Sequence, residues 1–301
     1  LSEFLSDRRV IETNPLIWQP ILQGIILSVR PRESGANYER IWDRAANDSP
    51  LRVITRRQAE KLQARLGDRV IVDFAMRYGN PSTPSRLTAL QQAGCRRILL
   101  VPMYPQYSAT TTGTANDRAF DSLKTMRWQP AVRTMPAYFD QPAYVETLAR
   151  SIAEGVAALD FEPDVVLTSY HGMPKSYLLA GDPYHCQCLK TTRLVREYLG
   201  WPEDRMMVTF QSRFGRAEWL QPYTQDMFET LPKKGKKKIA VVAPAFSVDC
   251  IETLEEIAIT GKEQFEHAGG ERYAYIPCLN DTEPAMAMLE TLVRNELGGW
   301  L

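Results

Sequence analysis

Asp164-Val165-Val166-Leu167-Thr168-Ser169-Tyr170-His171-Gly172-Met173-Pro174 is the stretch that decides how this chain folds. Val165 to Thr168 is an apolar, β-branched run closed upstream by Pro163. Apolar side chains without polar alternation predict a buried parallel strand. Gly172 and Pro174 end that strand within three residues of His171. Ligands of open α/β sheets bind outside the carboxyl ends of the strands. A neutral imidazole at such an end can take up a proton or hold a metal near neutral pH. A histidine that merely closes the strand would occupy the same position, so the rest of the chain must decide.

Outward from this strand, strand-like and helix-like segments alternate. The strand patterns are Val70–Arg77, Arg97–Met103, Val132–Ala137, Asp164–Tyr170, Met206–Gln211, Lys238–Ala243 and Tyr273–Pro277. Helical patterns lie between them, near Ser85–Ala93, Ala115–Thr125, Ala143–Ala158, Gln187–Tyr198, Leu220–Glu229 and Cys250–His267, with another near Glu283–Asn295. Such a series predicts an α/β fold with a doubly wound parallel sheet. A short internal echo, Phe74-Ala75-Met76-Arg77-Tyr78-Gly79 against Phe210-Gln211-Ser212-Arg213-Phe214-Gly215, predicts two similar lobes. The boundary is placed at 140/141, and cofactor and substrate pockets favour such lobe junctions.

Bulk properties exclude several classes. Lys+Arg and Asp+Glu are 36 each among 301 residues, so neither nucleic acid nor an acidic macromolecule is indicated. Five scattered cysteines do not make a disulfide framework, which favours a reducing, cytoplasmic compartment. No apolar run reaches the ~18 residues of a membrane span, and no signal peptide is recognisable. The basic run Pro232 to Lys238 reads as a solvated turn before a strand. There is no G-x-G-x-x-G, Walker or G-x-S-x-G sequence, so nucleotide binding and serine hydrolysis lack support.

Three loops at strand ends carry chemistry-bearing residues. Tyr104 to Gly113 offers hydroxyls and N–H groups ahead of a helix, which suits an anionic group or an ordinary helix start. The second loop holds His171. The third, Phe246 to Glu256, contains Asp249-x-x-Glu252, which reads as a capping box with Ile251, Leu254 and Ile257 as a buried stripe. Glu252 and Glu256, four residues apart, then share another helix face. If that face lines a cleft, they form a path for metal or protons. His185, Cys186 and Cys188 resemble metal ligands, but C-x-C without a second pair is weak support for structural zinc. Asn14 to Val29 is apolar, broken by Pro15, Pro20 and Gly24 and flanked by Arg8, Arg9, Arg30 and Arg32. It either covers a core or forms an exposed lip for a flat apolar ligand or a membrane surface.

Taken in order, these motifs resemble the ferrochelatase family over nearly the whole chain. The resemblance is carried by Phe4 to Ile11, Met76 to Pro81, Pro102 to Ser108, Thr111-Thr112-Gly113, Ser169 to Pro174, Gly181 to Tyr184 and Asp249 to Leu254. It implies two Rossmann-like lobes with a porphyrin in the cleft between them, and an enzyme that inserts Fe2+ into protoporphyrin IX. It places the catalytic histidine on His171, the catalytic glutamate on Glu252 and a further acid of the path on Glu256. His171 and Glu252 are the implied metal contacts. Arg77, Tyr107, Trp219 and Phe246 are implied porphyrin contacts, and Leu16 and Ile17 belong to a lip at the porphyrin mouth. A family first strand with an Asn-Leu-Gly-Thr-Pro-like loop is expected upstream of Leu1, and the last helix is expected against the first lobe. No cysteine follows Cys278, so an iron–sulfur cluster is not expected, and no cofactor is required beyond the substrate iron. The implied setting is cytoplasmic, with peripheral contact to the inner face of a membrane through the lip. A coproporphyrin or other divalent-metal chelatase, or a non-catalytic tetrapyrrole binder, are the alternatives.

Overall fold

The computed structural model describes residues 1–301. The chain forms two compact units. The first comprises Leu1–Pro102, Ser108–Ala137 and Leu289–Leu301; the second comprises Met103–Tyr107 and Tyr138–Met288.

In the first unit, strands β1 (Arg97–Leu100) and β2 (Ala131–Thr134) pair in parallel with Ile98 opposite Val132. Leu87 and Ala119, from the helices Thr83–Gln92 and Thr114–Lys124, pack on Ile98. Val70–Arg77, expected as a strand, forms no strand and joins neither sheet. The reason is Gln63, in the helix Pro50–Leu66. Its side chain accepts from the Val72 N–H at 2.8 Å and donates to the Val70 carbonyl at 3.1 Å. A side-chain amide offers the same donor and acceptor as a peptide group, so Gln63 takes the place of a neighbouring strand.

The proline-broken N-terminal segment is helical throughout, as Pro15–Ile21 and Leu27–Ile41 joined by a π-helical turn, Leu22–Ile26. A wide turn lets a helical path continue past a proline's missing N–H. Leu22 alone is buried in this stretch, whereas Leu16 is 85% exposed, and Ile17, Ile21, Ile25 and Val29 are also exposed. The core-cover alternative is therefore wrong, and the segment presents an apolar ridge. Leu5 is buried, with its carbonyl accepting the Trp18 indole N–H at 2.7 Å. Asp7 holds the chain start in place: its carboxylate pairs with Arg77 and accepts the Tyr78 hydroxyl at 2.9 Å.

The second unit is built on four parallel strands: β3 (Val165–His171), β4 (Met206–Gln211), β5 (Lys238–Val242) and β6 (Arg272–Ile276), in the order β4-β3-β5-β6. Val165, Val166, Leu167 and Tyr170 are all buried, as an unalternating apolar run requires of a strand covered on both faces. Val165, Leu167, Ile239 and Val241 pack on Phe228, Leu231, Ile257 and Phe265. Tyr170 points the other way and packs with Phe210, Tyr184, Cys188 and Leu220. Each such side chain contributes roughly 1.5–3 kcal/mol of burial. From β3 the chain goes to β4 on one side, then returns to β5 on the other. The strand order thus reverses between the carboxyl ends of β3 and β5, where open α/β sheets bind ligands.

The internal echo is present as structure, two residues out of the register that the sequence suggests. Met76 N–H donates to the Pro81 carbonyl at 2.8 Å, and Phe210 N–H donates to the Pro222 carbonyl at 2.8 Å. Ser82 bridges Met76 and Tyr223 bridges Phe210, each just before a helix. Met76, not Phe74, therefore corresponds to Phe210.

Candidate functional site

His171 is the last residue of β3, opposite Gln211 of β4. Its Nδ1 lies 2.7 Å from the Gly172 carbonyl oxygen. A carbonyl can only accept, so Nδ1 donates in this contact and Nε2 is the ring nitrogen it leaves unused. Gly172 is required there. A Cβ would come within 2.6 Å of the Gln211 carbonyl oxygen and 3.0 Å of the Trp219 ring. The Phe246 ring, following β5, has its centroid 6.5 Å from that of His171.

The helix after β5 begins differently from the sequence expectation. Cys250 is its N-cap, with its N–H donating to the Thr253 hydroxyl at 3.0 Å in a capping box closed by those two residues. Asp249 instead accepts from the Tyr275 hydroxyl at 2.6 Å, the Thr253 hydroxyl at 3.0 Å and the Asn280 amide at 2.7 Å. The Asp249–Glu252 capping box is thus overturned, and Glu252, half-buried at the second helical position, is not part of the cap. From Leu254 to Gly261 the helix widens into π-helical turns. The buried positions are Thr253, Glu255, Ile257 and Gly261, so of the expected stripe Ile251, Leu254 and Ile257 only Ile257 is buried.

Glu256 is held by several donors. It accepts from Ser212 N–H at 2.8 Å, the Ser212 hydroxyl at 2.6 Å and the Gln225 amide at 2.7 Å. Burial nevertheless raises its pKa above the ordinary 4.5; the Ser212 bonds and the His171 charge oppose the rise, and the like charge of Glu252 adds to it. His171, Glu252 and Glu256 therefore form one electrostatically coupled group. Ser212 has φ of 65°, a left-handed conformation that costs a non-glycine residue about 1–3 kcal/mol. That conformation brings both its N–H and its hydroxyl onto the same carboxylate.

Gln211 ties this group to the sheet. Its amide donates to the Glu252 carbonyl at 2.8 Å, and its side-chain oxygen accepts from the Ser169 hydroxyl at 2.8 Å. Ser169 continues to Thr224 at 2.8 Å, and Thr224 to Thr209 at 2.8 Å. Ser169, Thr209, Gln211 and Thr224 are fully buried. Sequence reasoning missed Gln211, Ser212 and Gln225. The available signal for the first two was their place at the end of an apolar strand, the same signal that singled out His171.

The remaining expected site residues are distributed as follows. Trp219 is buried against Phe214, with ring centroids 5.0 Å apart. Tyr107 is half-buried, with its N–H donating to the Gln187 side chain at 2.7 Å. Arg77, in the first unit, pairs with Asp7, lies 4.2 Å over the Tyr78 ring and keeps a buried Nε without a hydrogen-bond partner. Leu16 and Ile17 stand on the exposed ridge of the same unit. His185 stacks on Phe210, Cys188 is buried and Cys186 is exposed, and these three do not gather into a metal site.

Comparison with known proteins follows this geometry. The family model described as Ferrochelatase matches residues 1–297. A ferrochelatase of Allorhizobium ampelinum is 59% identical across all of this chain and 88% of its own length. One of Rhizobium meliloti is 59% identical over the whole chain and 89% of its length, and one of Brucella ovis 56% over the whole chain and 86%. Among solved structures, SirB from Bacillus subtilis with Fe3+ superposes with a TM-score of 0.59 at 11% identity. It covers 80% of this chain and 87% of its own, and at that identity it speaks to the fold alone.

Proposed function

This chain belongs to the ferrochelatase family, and from that premise we propose how its residues divide the reaction. The enzyme is a lyase-class chelatase that inserts Fe2+ into protoporphyrin IX and releases two protons. The iron stays ferrous throughout, so the step needs no electron carrier and no cofactor beyond the substrate metal. What the protein must supply is a base for two pyrrole protons and ligands for a desolvated ferrous ion.

His171 Nε2 is the group that meets the macrocycle. The observation that carries this assignment is the Nδ1 contact to Gly172, which uses Nδ1 as donor and makes Nε2 the nitrogen through which the ring can accept a proton at the strand-order reversal. Nε2 takes a pyrrole proton, and Glu252 is its carboxylate partner. Glu256, with its pKa raised by burial and its carboxylate held by Ser212 and Gln225, passes protons onward. The same lone pair, with Glu252, also suits an incoming ferrous ion, since iron takes imidazole and carboxylate ligands. Phe246, Trp219, Tyr107 and Arg77 are assigned to the porphyrin. The ridge of Leu16 and Ile17 is assigned to the apolar edge of the ring and to peripheral contact with a membrane surface. Its exposure supports that assignment, as do the exposed Arg8, Arg9, Arg30 and Arg32 around it.

Anaerobic turnover with ferrous iron, comparing protoporphyrin with coproporphyrin, tests the assignment. Protoporphyrin is expected to be the better substrate. Faster turnover of coproporphyrin would move the enzyme to the other chelatase class. Porphyrin binding with no metallation of either would leave a tetrapyrrole binder.

A further inference from the structure

We propose that Tyr273 is a positioning residue for this reaction, its hydroxyl holding open the π-helical turns that aim Glu256. The inference rests on the assignment of Glu256 to proton transfer. Long π-helical runs are rare, and the α-helical register is the default to which a helix returns. Something must hold the segment Leu254–Gly261 in the wider form. From β6, Tyr273 donates its hydroxyl to the Ile257 carbonyl at 2.6 Å, one residue beyond Glu256. Its ring is fixed by Phe228 and Phe265, with centroids 5.7 Å and 5.9 Å away. The backbone is pressed against this cluster at Gly261, where a Cβ would lie 2.7 Å from the Phe228 ring and 3.1 Å from the Tyr273 hydroxyl. The Thr260 hydroxyl donates to Glu255 at 2.9 Å, a contact between residues five apart. In an α-helix the side chains that meet are three or four apart, so this bond belongs to the wide register. Return to the α register would rotate Glu256 away from Ser212 and Gln225.

Tyr273→Phe keeps the ring and removes only the donor. It is expected to lower kcat roughly tenfold, the order seen when a supporting group outside the reacting atoms is lost, with KM for protoporphyrin unchanged. In a Glu256→Gln background the same substitution should change kcat by less than about twofold, because the two act as one unit. A general loss of stability would lower the folded fraction, and with it the apparent kcat, by the same factor in the native and the Glu256→Gln backgrounds, so its effect would add to the Glu256 defect. Wild-type kcat in folded Tyr273→Phe, or additive effects in the double variant, would overturn the proposal. A silent Glu256→Gln beside an impaired Tyr273→Phe would overturn it too, and would separately remove Glu256 from the reaction. Should Tyr273→Phe fail to fold, Gly261→Ala decides. It pushes the helix off the Tyr273 hydroxyl, and a folded variant with wild-type kcat would refute the role.

Discussion

Glu256 sits in a pocket that favours its protonated form, and this has two readable consequences. Its contribution to stability is full below the ordinary pKa of 4.5 and declines as pH rises through the raised value. Glu256→Gln should therefore abolish that decline, read as melting temperature against pH for both proteins. As a proton acceptor the group must be ionised, so turnover of the native enzyme should fall as pH drops through the same raised value. The Gln variant should lose this acidic limb. Glu252→Gln should impair turnover more than Glu256→Gln and leave the melting temperature nearly unchanged. Cys250 and Thr253 supply the cap, so Gln at 252 forgoes little of the ~1 kcal/mol that a capping side chain is worth. A fall in melting temperature with normal turnover would return Glu252 to a structural role. His171, Glu252 and Glu256 were all legible as chemistry-bearing types at strand ends. Gln211, Ser212 and Gln225 were not, because their importance lies in whose carboxylate they meet, and that depends on the parallel register of β3 and β4.

At the scale of elements, β4 and β5 begin where their apolar patterns do, because burial on both faces leaves a local signature in sequence. Val70–Arg77 carries the same signature and is not a strand, because the side chain of Gln63 pairs its backbone from another element. The π-helical turns were equally hidden. Their spacing departs from the α pattern by one residue, and the groups holding them, Tyr273 and Phe228, lie elsewhere in the chain. The turn after β3 offers a direct test of packing at the site. Gly172→Ala places a methyl 2.6 Å from the Gln211 carbonyl, a backbone atom that cannot swing aside. The β3–β4 ends must separate, which predicts a loss of about 1–3 kcal/mol from overpacking and a drop in turnover. Thermal melting and turnover of the one variant measure both, and a native melting temperature would show that the turn yields more easily than its geometry implies.

At the scale of the molecule, no helix is long and apolar enough to cross a membrane, and the formal charge is balanced at 36 to 36. The exposed ridge is then the surface that distinguishes this chain from an ordinary α/β protein. Its prolines argued in the sequence against a continuous buried helix, and the structure bears out only half of that: the helical path continues, and the side chains are exposed. Leu16→Asp with Ile17→Asp should leave the melting temperature unchanged, since exposed positions tolerate substitution within about 0.5 kcal/mol. The pair should raise KM for protoporphyrin and weaken binding to anionic vesicles, with little change in iron dependence. Co-sedimentation and porphyrin titration on the double variant check both, and no change in either would make the ridge a bystander.

The most direct measurement is metallation by His171→Ala under anaerobic conditions, with porphyrin binding followed in the same sample. Nε2 at the end of β3 takes the pyrrole proton in this account, so porphyrin should still bind while turnover falls by roughly 10²–10⁴-fold, the span for loss of a positioned acid–base group. A folded His171→Ala enzyme that metallates protoporphyrin at close to the native rate would contradict it.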